Sequence, residues 1–142
     1  MKKVLVVGAA GAVGIHTVKY LLSEGKYEIT ILDLKNKNSF SRLKRFKRVN
    51  VLYGDVTDRV LMEALVKDHD YIIYLASAMP PLGNMKPGLS MTIDYGGCEN
   101  IVRAINYYNP KCHLFFASTT SMYKNIKKPS IKSRISLNEF DY

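Results

Sequence analysis

Two sets of residues in this chain have types and spacings suited to chemistry. Near the start, Gly8, Gly11 and Gly14 follow an apolar run in "KVLVVGAAGAVG". Between a strand and a helix, such a turn can cradle a pyrophosphate. The first glycine permits the tight turn, the second lets backbone approach the anion, and the third lets helix and strand pack closely. The helix that follows presents free N–H groups and the positive end of its dipole. Near the other end, Tyr123 and Lys127 stand four apart in "YKNIK". On one face of a helix this pair would do proton transfer, the ammonium lowering the phenol pKa from about 10 so that the phenolate can act as a general base.

The two sets differ in context. Pro129 biases Lys128 away from helical angles, and the Tyr123 segment leaves the apolar run "CHLFFAS" directly. Without a helix, Tyr123 and Lys127 are a look-alike of the dyad. The glycine turn has what it needs: a strand before it, a helix after it, and an acid, Asp33, at the end of the next strand, 19 positions beyond Gly14. Asp33 can accept hydrogen bonds from both adenosine ribose hydroxyls, and its charge repels a 2′-phosphate, so NAD is favoured over NADP. Lys35, Lys37 and Arg42 follow closely and offer a phosphate clamp as the alternative. Asp33 also has a plainer reading, as a turn residue after a strand.

These groups must be positioned by a fold, and 142 residues allow one domain with a sizeable core. Strand-like apolar runs cover residues 3–7, 28–33, 49–53, 70–76 and 112–118. Helical patterns occupy 12–25, a basic stretch at 37–48, 57–68 and 89–109. Thr57 or Asp58 can cap the third of these, and Pro87 with Gly88 punctuates the entry to the fourth. Strands this continuously apolar are buried on both faces, which predicts a doubly wound parallel sheet in a three-layer α/β/α sandwich.

The net charge is +9, concentrated in Lys35–Arg48 and Lys124–Arg134. This excess reads as a solvated basic face, with an anion site as the alternative. Aromatic interleaving and a recognition-helix signature are both lacking, so nucleic acid is not expected as a partner. The opening "MKKVLVV" imitates a signal peptide, but glycines interrupt it, and no run approaches the roughly 18 apolar residues of a membrane span. Cys98 and Cys112 lack metal-ligand spacing, and no metal is expected. A reduced, cytoplasmic protein is the simplest expectation.

Further segments carry a family resemblance. With the G-x-x-G-x-x-G turn, "YGDVTD" (53–58), "YIIYLASA" (71–78), "DYGGCENIV" (94–102) and "FFASTTSMYK" (115–124) occur in order. Together they resemble the extended short-chain dehydrogenase/reductase family, in particular its NAD-dependent sugar-nucleotide epimerase/dehydratase branch. The resemblance implies a Rossmann-like NAD-binding domain over residues 1–142. It implies cofactor contacts from Gly8, Ala10, Gly11, Ala12, Val13 and Gly14 at the turn, and from Asp33 at the ribose. Asp55 and Val56 would lie at the adenine, and Leu75, Ala76 and Ser77 beside the ribose and pyrophosphate. Thr119 takes the place of the hydroxyl that polarises the substrate oxygen, and Tyr123 that of a structural tyrosine. Tyr74, Asp94, Cys98 and Lys124 depart from the residues common at their positions.

In the family the catalytic Tyr-x-x-x-Lys comes later, in a helix. Tyr142 is the only candidate here for its tyrosine, and no lysine stands four beyond it. By resemblance, then, the expectation is the cofactor half of an epimerase/dehydratase-like oxidoreductase acting on a nucleotide sugar or similar hydroxyl or carbonyl substrate, truncated before the C-terminal substrate lobe, with a homodimer allowed. The alternative on the same fold is a non-catalytic NAD(P)-sensing regulator.

Overall fold

The computed structural model describes residues 1–78 and 85–118. Five strands, β1 (Lys2–Val7), β2 (Tyr27–Asp33), β3 (Asn50–Tyr53), β4 (Tyr71–Tyr74) and β5 (His113–Phe116), form one sheet in the order β3-β2-β1-β4-β5. Every pairing is parallel, with Val7 opposite Leu32 on one side and Tyr74 on the other. The helices are α1 (Ala12–Glu24), α2 (Lys37–Leu43), α3 (Arg59–Lys67), α4 (Pro87–Met91) and α5 (Gly97–Tyr108), with a π-helical turn at Thr92–Gly96 joining the last two.

The period-2 alternation of β1 divides the core. Val4 and Val6 pack with Ile29, Ile31, Leu43 and Phe46 and with Ile15, Val18 and Leu21 of α1. Leu5 and Val7 pack on the opposite face with Met62, Leu65 and Val66 of α3 and Ile101 and Ala104 of α5. Both faces are therefore covered, which is why these strands read as unbroken apolar runs.

Four elements differ from the sequence pattern at their ends. The basic helix stops at Leu43 instead of running to 48. Lys44, Arg45, Lys47 and Arg48 add nothing apolar to its buried stripe, and Phe46 enters the core by a tighter turn, its N–H donating to the Leu43 carbonyl (3.0 Å). β4 ends at Tyr74 and β5 at Phe116, although the apolar runs continue. Beyond Tyr74 only Leu75 N–H still reaches β1, at the Val7 carbonyl (2.8 Å), because β1 itself turns away at Gly8. The helix expected over 89–109 starts at Pro87 and contains the π turn. Asp58 caps α3, its carboxylate accepting from Leu61 N–H (3.1 Å).

Candidate functional site

The order β3-β2-β1-β4-β5 reverses direction between β1 and β4, and a doubly wound sheet opens its ligand crevice at that point, beyond the carboxyl ends of its strands. A cleft of about 290 Å³ lies there. From β1 and its turn come Val7, Gly8 and Gly11, and from the end of β2 come Leu32, Asp33 and Leu34. After β3, Gly54, Asp55 and Val56 contribute, and after β4 the wall is Leu75–Ala78, joined by Ile93 of the π turn.

Each glycine of the turn does something different. Gly8 has φ +82°, and a Cβ there would lie 2.6 Å from Ala76 N and 2.7 Å from the Leu75 carbonyl carbon. Its bare backbone is what lets the post-β4 wall come close. Gly14 is buried, and a Cβ would lie 2.4 Å from Gly8 O and 2.7 Å from Ala9 Cα, so it serves helix–strand packing. Gly11 is exposed, and a Cβ would meet only Gly8 O, at 3.2 Å. Gly11 is also the N-cap of α1; it has no side chain to accept from the first-turn N–H groups, and no acid stands in that turn. An anion is the partner such a helix start lacks.

Asp33 braces this turn. One carboxylate oxygen accepts from Ala10 N–H (2.7 Å) and the other from Leu34 N–H (2.9 Å). A carboxylate has about four lone-pair positions, so capacity for ribose hydroxyls remains. Asp55 also lines the cleft, with Oδ1 accepting from Thr57 N–H (2.9 Å) and Thr57 Oγ1–H (2.8 Å). Its loop is held from behind: Asn100 Nδ2 donates to the carbonyls of Val56 (3.1 Å) and Thr57 (3.3 Å). Asn100→Ala is expected to cost about 1–2 kcal/mol, the net worth of two such bonds. Urea denaturation measures it, and an unchanged midpoint would show that the loop holds itself.

Of the residues anticipated from sequence, Gly8, Gly11, Asp33, Asp55, Val56, Leu75, Ala76 and Ser77 meet around the cleft. Ala10 and Gly14 are buried behind it, and Ala12 and Val13 form the exposed first turn of α1. Leu34, Gly54, Ala78 and Ile93 were not anticipated. Leu34, Gly54 and Ala78 adjoin the anticipated Asp33, Asp55 and Ser77, the last two inside the segments 53–58 and 71–78, whereas Ile93 is brought in by tertiary structure. Thr119, Tyr123, Lys127 and Tyr142 lie outside the described residues.

Burial pushes the Cys112 thiol up to about 11 and raises that of Cys98, so neither is an activated nucleophile. Burial also raises the Tyr74 hydroxyl well above the ordinary phenol range, which keeps it a donor, here to the Ile93 carbonyl (3.1 Å). Among the described residues no group of His, Cys, Asp or Glu is arranged to hold a metal, and no helix is long and apolar enough to cross a membrane. The basic residues of 35–48 are exposed except Arg42, which is half-buried, and none of them lines the cleft. A larger groove of about 550 Å³ lies on the outer face of α3 and α5. None of its lining comes from a strand end, and its arginines are paired, Arg59 with Glu63 (2.7 Å) and Arg103 with Glu99 (2.8 Å).

Comparisons with known proteins agree with this fold. The family model described as NAD dependent epimerase/dehydratase family matches residues 4–140. Mouse (Mus musculus) UDP-glucose 4-epimerase is 31% identical over 144 residues, covering 88% of this chain and 40% of the relative. CDP-paratose 2-epimerase of Salmonella typhi is 23% identical over 132 residues, covering 89% of this chain and 39% of the relative. Among solved structures, the enzyme WbmH of Bordetella bronchiseptica, in complex with NAD+, superposes with a TM-score of 0.74 at 22% identity, over 87% of this chain and 40% of that one. The chain thus spans about 40% of the length of these relatives.

Proposed function

The chain belongs to the NAD dependent epimerase/dehydratase family, and from that premise we propose that it binds NAD in the cleft at the β1–β4 switch point and serves as the cofactor-binding part of an oxidoreductase acting on a nucleotide sugar. The observation that carries this is the glycine turn: Gly11 at the mouth of the cleft has no side chain to cap α1, while Gly8 and Gly14 bring wall and helix into close contact around it. The residues present fit a dinucleotide. Gly11 and the first turn of α1 would receive the pyrophosphate, Asp33 the adenosine ribose, and Asp55 with Val56 the adenine. The small Ala76 and Ser77 leave room for the second ribose.

Bound there, NAD would supply a hydride acceptor for a carbon bearing a hydroxyl. The chain's own contribution is binding and orientation. Its apolar lining, Leu32, Leu34, Val56, Leu75 and Ile93, excludes water from the rings. Thr119 belongs to this reading as the hydroxyl that would hold the substrate oxygen by a hydrogen bond.

Asp33 is the residue that discriminates between cofactors. Its carboxylate is fixed by Ala10 and Leu34 at the cleft, and Lys35 and Lys37 beside it are directed to solvent. NAD is expected to bind at least about tenfold more tightly than NADP, a difference of about 1.4 kcal/mol. Calorimetric titration with each dinucleotide tests this. A preference for NADP would transfer the role to the basic residues after β2, and no binding of either would remove the cofactor reading altogether.

A further inference from the structure

We propose that Asp94 is a positioning residue for the half of the dinucleotide that lies beyond the pyrophosphate, acting through the Leu75–Ala78 wall; this rests on the reading of the cleft as an NAD site. The wall leaves β4 and passes over Gly8. At one end it is tied to the sheet by Leu75 N–H on the Val7 carbonyl (2.8 Å). At the other end Ala78 N–H donates to Asp94 Oδ1 (2.8 Å). Between these anchors no other backbone hydrogen bond holds Ala76 or Ser77 among the described residues. Asp94 is itself fixed, because its Oδ2 accepts from Ser90 Oγ–H (3.0 Å) one helical turn earlier.

The backbone around Asp94 fits this function. Asp94 lies in the π turn Thr92–Gly96, and single π turns recur at functional sites because the widened turn displaces a residue from the regular helical face. The turn is pinned a second time by Tyr74, whose hydroxyl donates to the Ile93 carbonyl (3.1 Å), and the Ile93 side chain lines the same cleft. One turn of backbone therefore sets both Ile93 and, through Asp94, the free stretch of wall.

Topology decides which half of the ligand this wall meets. Asp33, Asp55 and Val56 follow β2 and β3, on one side of β1, whereas Leu75–Ala78 follow β4, on the other. With the pyrophosphate at the β1 turn, adenosine lies over the first side and the second nucleoside over the wall. AMP reports on the first side alone, and NAD on both.

Asp94→Ala should weaken NAD binding about tenfold, the scale of one lost anchoring hydrogen bond, and leave AMP binding unchanged. Asp94→Asn should restore NAD affinity, since its carboxamide oxygen accepts from Ala78 N–H while its N–H₂ donates to Ser90 Oγ. Ser90→Ala, which removes only the bond that orients the carboxylate, should show a smaller loss in the same direction. Without any ligand, amide hydrogen exchange at Ala78 should speed up in Asp94→Ala and not in Asp94→Asn. Equal losses for AMP and NAD would make Asp94 merely structural and overturn the proposal. So would undiminished NAD affinity in Asp94→Ala, or failure of the Asn variant to restore it. Absence of NAD binding by the unaltered chain overturns the cofactor reading instead, a result that the Ala78 exchange measurement distinguishes from loss of the latch.

Discussion

Gly11→Val is expected to remove NAD binding while leaving the fold in place. Gly11 has φ −63° and ψ 166°, an extended conformation open to any residue, and its side chain would point into solvent at the mouth of the cleft. The added Cβ meets only Gly8 O, at 3.2 Å, a contact that a shift of a few tenths of an ångström relieves. Valine is a poorer N-cap than glycine, so a stability loss of about 1 kcal/mol accompanies the change. The effect on binding is of another order. The branched methyl groups would occupy the space through which a pyrophosphate bound at the cleft approaches the first turn of α1. A loss of at least about a hundredfold in affinity, about 2.7 kcal/mol, is expected by calorimetry, with near-native circular dichroism. Retained affinity would mean that the glycine turn serves packing alone and that the dinucleotide does not lie there.

The contrast between Gly11 and its neighbours shows how far the site was legible in the sequence. Glycine spacing announces a turn because φ +82° at Gly8 and the contact at Gly14 leave glycine as the residue that fits. The acid after β2 was legible as a residue of the cleft. Its bond to Ala10 N–H was not, since it joins residues 23 apart through a crossover that no local pattern encodes. The strands were legible as apolar runs. The ends of β4 and β5 were not, because hydrophobicity continues past the point where the hydrogen-bond ladder stops: Leu75 and Ala76 are half-buried in the cleft wall instead of paired in the sheet. The π turn has no sequence code of its own. Gly97 hints at it only in retrospect, a Cβ there lying 2.5 Å from the Tyr74 hydroxyl. Asp94 was named as a departure from the family pattern and Asn100 lies in the segment 94–102 that carries the resemblance, but what each one holds, a wall after β4 and a loop after β3, follows only from the three-dimensional structure.

Gly14→Val, by the same logic, should fail through the fold and not through the pocket. Gly14 is buried in the first turns of α1, and its Cβ would lie 2.4 Å from Gly8 O and 2.7 Å from both Ala9 Cα and Ala9 O. All three atoms are backbone, so no side chain can swing aside, and the whole of α1 must lift from the end of β1. Lifting it uncovers Ile15, Val18 and Leu21, the residues by which α1 closes its face of the sheet. Overpacking alone costs about 1–3 kcal/mol, and the added loss of burial should take the total to about 3 kcal/mol or more. A domain of this kind is stable by only about 5–15 kcal/mol, so the variant is expected to be strongly destabilised, with a clear drop in its urea midpoint. Gly25→Ala is the control on the same helix, because its φ of +64° adds strain while its Cβ meets nothing within 4 Å. If Gly14→Val unfolds at the same urea concentration as Gly11→Val, the close packing assigned to the third glycine is wrong. If it unfolds far earlier, any loss of NAD binding it shows belongs to the helix it displaces, and Gly11 remains the position that tests the cleft.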